Sequence, residues 1–129
     1  MLKNGILNPQ LNSLLARVRH TNSLVIADRG FPIWPKLETV DLSLVDDIPT
    51  VLQVLAAIKP NFSIAKIYMA REFKRENKTG VKNSFAKSFG KIPVIYEPHI
   101  EFKKRVPGAV GLVRTGDTIQ YANMVIVSG

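Results

Sequence analysis

The sequence carries a histidine and an aspartate, His20 and Asp28, eight positions apart near its beginning. An imidazole titrates near neutral pH and can exchange a proton with a substrate, and a carboxylate can orient it. Each residue also has a structural interpretation. His20 would be a favourable cation at the carboxyl end of a helix, and Asp28 would pair with Arg29 or cap a turn. Residue types alone favour the structural interpretation of His20 and leave Asp28 open.

Further polar side chains fall near the ends of predicted strands and helices, where open α/β sheets gather their ligands. They are Glu72, His99, Tyr121 and Asn123. Together with His20 and Asp28 they would form a small hydrogen-bonding pocket. Each again has a plainer alternative. Glu72 would be a solvated residue of a first helical turn, His99 an ordinary first-turn residue, and Tyr121 and Asn123 a strand entrance.

Metal and nucleotide motifs give no support to a cofactor. The chain has no cysteine, and it contains no HExxH, Walker A, GxGxxG or GxSxG pattern. Two histidines and a carboxylate can bind zinc or iron, but the spacing of His20, His99 and Asp28 does not favour such a site. We therefore expect neither a metal nor a cofactor.

The elements that must position these residues alternate between strands and helices. Apolar spacing and turn residues predict helices over 9–19, from Pro49 onward and over 99–106, with a basic, partly helical segment over 73–90. They predict strands over 24–27, 39–44, 64–70, 93–96, 111–114 and 123–127, with a Gly- and Pro-rich loop over 28–36. The expected fold class is α/β: a single three-layer domain spanning 1–129, whose mixed, mostly parallel sheet carries helices on both faces.

Composition narrows the class of protein. The 129 residues are 46% apolar, which suffices for one core, and the net charge is +8. Many of the basic residues lie between Lys66 and Lys91, where a solvated face is the commoner interpretation, and aromatic residues are only 8% of the chain, so nucleic-acid binding is disfavoured. No leader pattern opens the sequence and no apolar run approaches the roughly 20 residues of a membrane span. We expect a cytoplasmic protein without a membrane partner.

Nearly the whole chain, in order, resembles the D-ribose pyranase and L-fucose mutarotase family. The resemblance rests on the segments Gly5–Asn8, Leu14–Thr21, Leu24–Asp28, Gly30–Ile33, Val40–Leu42, Ile48–Pro49, Gln53–Leu55, Glu72–Lys74, Pro98–Lys103, Arg114–Asp117 and Tyr121–Asn123. The Pro-His context of His99 is more similar to the ribose branch. Together the segments are far more specific than any one of them.

The resemblance implies a cofactor-independent isomerase that interconverts ring forms of a free aldose such as D-ribose: ribose-type members exchange pyranose and furanose forms, and fucose-type members exchange anomers. It implies that His20 is the catalytic acid or base and that Asp28, His99, Tyr121 and Asn123 bind the sugar. It also implies a homo-oligomer, commonly a decamer, with sites at subunit boundaries. Arg29 departs from the family's small residue and is a candidate specificity residue. It also motivates an alternative, a non-catalytic sugar-binding or regulatory protein on the same scaffold.

Overall fold

A computed structural model describes residues 1–129 as a twisted sheet with helices on both sides. Its helices are α1 (Pro9–Arg17), α2 (Val51–Ile58), α3 (Glu72–Glu76), α4 (Thr79–Phe89) and α5 (His99–Arg105). Its strands are β1 (Ser23–Ala27), β2 (Thr39–Asp41), β3 (Ile64–Ala70), β4 (Val94–Glu97), β5 (Gly111–Arg114) and β6 (Met124–Ser128). Short 3₁₀ turns follow α2 and α5.

The sheet has the strand order β2-β5-β1-β6-β3-β4. The pairs β1–β5, β2–β5 and β3–β4 are parallel, and only β6 runs antiparallel to its neighbours β1 and β3. The carboxyl ends of the other five strands therefore meet the amino end of β6 at one edge of the sheet. We call this edge the carboxyl edge, and it is where most of the candidate polar residues lie.

Alternate residues of the strands face two separate apolar clusters. The larger cluster of 18 buried residues packs α1, α2, α3 and α4 on one face, and includes the ring pair Phe73–Phe85 with centroids 4.6 Å apart. The smaller cluster of seven packs α5 and the loop after β1 on the other face, and includes Phe31 and Phe102. The three-layer α/β fold with a mixed, mostly parallel sheet is thus confirmed.

Several element ends differ from the prediction because local capping decides them. Helix α1 ends at Arg17 rather than near Arg19, because Val18 leaves the helical conformation. Helix α2 begins at Val51 rather than Pro49, because Thr50 and Gln53 form a reciprocal capping box. Strand β2 covers only three residues, and the basic segment after β3 divides into α3 and α4. No helix is long and apolar enough to cross a membrane.

Candidate functional site

The two residues that open the sequence argument lie at opposite ends of one strand. His20 precedes β1 and Asp28 follows it. The five residues of β1 rise by about 3.3 Å each, so the strand alone separates the two positions by about 13 Å. One chain does not bring His20 and Asp28 into a common cavity.

A cavity of about 340 Å³ opens at the carboxyl edge of the sheet. It is lined by all four residues that the family resemblance implies as sugar-binding, whereas His20 does not line it. Its lining residues are Asp28, Gly30, Phe31, Pro32, His99, Gln120, Tyr121 and Asn123. Polar groups that can donate or accept are thus combined with apolar surface, as in small-molecule sites generally.

Strand register explains why Asp28 and Asn123 meet. Ile26 pairs with Met124 across β1 and β6, so the residues just beyond this pair leave the sheet side by side. The Asp28 main-chain N–H donates to Asn123 Oδ1 over 2.7 Å, and Asp28 Oδ1 accepts from the Gly30 N–H over 3.0 Å. Burial raises the pKa of the Asp28 carboxyl above its ordinary value, although the bonds with Gly30 and Asn123 act in the opposite direction.

The His99 ring is fixed by two aromatic neighbours. It stacks on Phe102, with centroids 5.9 Å apart and planes at 14°, and meets Tyr121 edge to face at 5.1 Å. Tyr121 has φ of 56°, a left-handed conformation that is uncommon for a bulky residue. Such strained residues cluster at functional sites, and here the strain places a phenol against the imidazole in the cavity wall.

The environment of His99 favours its neutral form. Its Nδ1 is buried and has no hydrogen-bond partner, so an imidazolium would leave a buried N–H unpaired. Burial lowers the pKa of His99, Lys103 lowers it further, and the charges of Glu72 and Asp28 oppose the shift. A proton on the buried Nδ1 would lack an acceptor, so the neutral tautomer protonated on Nε2 costs less and would make His99 a hydrogen-bond donor.

His20 lies in an exposed turn beyond the carboxyl cap of α1, so Arg17 is the cation of the last helical turn. The turn is held to the sheet by the Thr21 N–H, which donates to the Ser128 carbonyl over 3.0 Å. His20 lines a second, larger depression of about 630 Å³ at the opposite edge of the sheet. Its charged lining residues include Lys66, Lys104 and Arg105.

Arg29 does not line the carboxyl-edge cavity. Its guanidinium contacts Asp46 at 2.7 Å in an exposed ion pair. Of the two structural interpretations of Asp28, the structure shows the turn cap at Gly30 and not the pair with Arg29. No three His, Cys, Asp or Glu side chains are placed to hold a metal ion.

Gln120 and the loop after β1 line the cavity, although the residue pattern assigned neither of them to the site. The loop after β1 supplies Gly30, Phe31 and Pro32 to the cavity, and its Gly- and Pro-rich composition was the available signal. Glu72 was among the polar residues predicted at the element ends, with a solvated first-turn residue as the plainer alternative, and its carboxylate accepts the main-chain N–H of His99. No local pattern indicated that contact, because it joins residues 27 positions apart.

The fold and cavity define a class of protein: a small mixed-sheet α/β protein with a cavity lined by polar and apolar side chains at the strand ends. The chain belongs to the RbsD / FucU transport protein family, whose model matches residues 1–129. It is 41% identical over 129 residues to a D-ribose pyranase of Geobacillus kaustophilus, covering 100% of this chain and 94% of that protein.

Solved structures agree with this membership. Bacillus subtilis RbsD, solved in complex with D-ribose, has a TM-score of 0.91 and 33% identity, covering 100% of this chain and 98% of that one. The fucose mutarotase of Streptococcus pneumoniae, solved with L-fucose, has a TM-score of 0.80 at 19% identity, covering 95% and 92%. At that identity the second comparison supports the fold alone.

Proposed function

We propose that this protein interconverts the pyranose and furanose forms of D-ribose, with His20 as the acid and base. The observation that carries the proposal is the cavity that gathers Asp28, His99, Tyr121 and Asn123, in a chain whose full-length relatives are D-ribose pyranases. The family and the relatives support an isomerase of sugar ring forms. The cytoplasmic location expected from the sequence is part of the proposal.

The chemistry of the reaction matches these residue types. Opening a hemiacetal removes the proton of the anomeric hydroxyl and delivers a proton to the ring oxygen, and closure onto another hydroxyl reverses both transfers. One imidazole can serve in both directions, with a contribution of typically about 10²–10⁴-fold. The Asp28 carboxylate accepts a hydrogen bond from a sugar hydroxyl, and neutral His99 donates one through Nε2 to a sugar oxygen. The Asn123 amide and the Tyr121 phenol supply further hydrogen bonds to the sugar.

The separation of His20 from the cavity makes the proposal depend on a second copy of the chain. The cavity lies where α5 begins and the His20 depression lies where it ends, about 10 Å of helix apart. A head-to-tail contact would bring the His20 depression of one copy onto the cavity of the next. Such heterologous contacts form a closed ring when the rotation from one copy to the next closes on itself. We therefore propose sites at subunit boundaries of a cyclic homo-oligomer, with the decamer of the family as its expected size.

Saturation-transfer NMR of D-ribose tests the catalytic assignment. The wild-type protein should accelerate exchange between pyranose and furanose resonances, and His20→Ala should remove most of this acceleration. The matched control is Arg19→Ala, which truncates an exposed side chain of the same turn. Exchange that survives His20→Ala unchanged would remove His20 from its role.

The non-catalytic alternative predicts a different pattern in the same samples. A sugar-binding or regulatory protein would give calorimetric binding of D-ribose without faster exchange. The structure weakens the reason for that alternative, since the Arg29 guanidinium pairs with Asp46 rather than with Asp28.

A further inference from the structure

Glu72 makes a hydrogen bond with the main chain of His99 that its position and residue type did not predict. Its two carboxylate oxygens lie 3.1 and 3.0 Å from the main-chain nitrogen of His99, which donates to them. The contact is partly buried and joins the first residue of α3 to the first residue of α5. A charged acceptor makes such a bond stronger than a bond between neutral groups.

The parallel pairing of β3 and β4 brings the two residues together. Ala70 pairs with Glu97, and the Arg71 N–H continues the ladder by donating to the Glu97 carbonyl over 2.7 Å. Glu72 and His99 each lie two positions beyond the paired residues. The segments that follow β3 and β4 therefore leave the carboxyl edge side by side, and a side chain of the first segment reaches the main chain of the second.

Helix α5 needs this acceptor because its own cap residue cannot provide one. The cap position is Pro98, which makes no side-chain hydrogen bond to the helix. The first N–H groups of a helix have no partner within the helix, and a side-chain oxygen usually supplies one. Here Glu72 of another helix performs that function for His99, and its negative charge is favourable at a helix amino end.

We propose that Glu72 is a positioning residue of the sugar site, which fixes the His99 imidazole in the cavity by holding its main-chain N–H. The inference rests on the proposed function for its link to D-ribose. The ring is held from one side by Phe102 and from the other by Tyr121, and Glu72 fixes the backbone from which it extends. Loss of this anchor shifts the Nε2 donor relative to the sugar without touching the proton-transferring His20.

Two substitutions at Glu72 and two matched controls test the proposal. Glu72→Ala removes the acceptor, whereas Glu72→Gln keeps one amide oxygen in the same place. Glu76→Ala and Glu76→Gln are the controls, since Glu76 lies on the same helix and pairs only with its exposed neighbour Arg75. All proteins are compared at a temperature where circular dichroism shows them fully folded, so a loss of stability does not enter the result.

The expected kinetic result is a split between binding and turnover. Glu72→Ala should raise KM for D-ribose by about tenfold, the effect of about one misaligned hydrogen bond, and change kcat much less. Glu72→Gln should recover most of that loss, and both Glu76 variants should match the wild type. A wild-type KM in fully folded Glu72→Ala would overturn the proposal, as would failure of Glu72→Gln to recover any affinity.

A second readout separates this proposal from the proposed function. The imidazole resonances of His99, followed against pH, report its position among the charged and titratable groups that face it, which are Asp28, Glu72, Lys103 and Tyr121. Glu72→Ala should lower the His99 pKa and weaken the nuclear Overhauser contact between the His99 and Tyr121 rings. If the wild type does not accelerate ribose exchange, the proposed function fails, and unchanged His99 resonances in Glu72→Ala would reject the positioning role independently.

Discussion

A mixture of two disabled proteins should regain activity, because His20 and the cavity lie at opposite ends of β1. One partner is His20→Ala, which leaves the cavity intact. The other is Asp28→Asn with His99→Gln, which leaves the His20 turn intact. The two chains carry different affinity tags, are co-expressed, and are purified over both tags, so that every recovered oligomer contains both.

The expected recovery depends on how much activity each variant loses and on how often an intact His20 meets an intact cavity. Loss of the acid and base costs about 10²–10⁴-fold, and loss of two sugar hydrogen bonds, one of them to a charged group, costs about 2–4 kcal/mol or roughly 30- to 1,000-fold. Each disabled protein alone should therefore retain at most a few hundredths of the wild-type rate. In a random equal mixture of rings as large as the expected decamer, about one quarter of the boundaries join an intact His20 to an intact cavity.

The assay is ribose exchange by saturation-transfer NMR, with the two separately purified variants as controls. Recovery to about one quarter of the wild-type rate supports a site shared between neighbouring copies. Co-assembled oligomers that stay at the level of the separate variants would refute the reasoning. A site built within one chain predicts that outcome, since every chain in the mixture then lacks one half.

Three further results are expected. Asp28→Asn should raise the urea midpoint at neutral pH while weakening ribose binding. The raised pKa of Asp28 means that the folded state binds the carboxyl proton more tightly than the unfolded state. The stabilising contribution of the protonated carboxyl is therefore present at low pH and is lost as pH rises through the folded pKa. The stability gained by Asp28→Asn should accordingly shrink as pH approaches 4. Thr50→Ala should lower the free energy of unfolding by about 1 kcal/mol in urea titrations, because it breaks the capping box of α2. Arg29→Ala should change the free energy of unfolding by less than about 0.5 kcal/mol, because it removes only an exposed ion pair with Asp46. In competition binding it should leave the preference for D-ribose over other aldoses unaltered. An altered preference would make Arg29 a specificity residue.

The fold class followed from the sequence because apolar runs and turn residues are local signals. The strands 64–70 and 111–114 were predicted with the bounds that the structure has, and the others to within a few residues. The errors fall where a single side chain decides an end, as at Val18 and Thr50. A single capping hydrogen bond leaves no trace in the spacing of apolar residues, so the exact ends of these helices cannot be predicted from that spacing.

The sequence by itself determined which residue types were available for chemistry, and its ordered family resemblance singled out His20, Asp28, His99, Tyr121 and Asn123. Strand pairing alone decided which of them meet. Antiparallel β6 between β1 and β3 joins Asp28 to Asn123, and parallel β3 and β4 join Glu72 to His99. These contacts span 95 and 27 positions of the chain, so no local spacing could show them. The length of β1 separates His20 from Asp28, although the family resemblance assigns both residues to one kind of site.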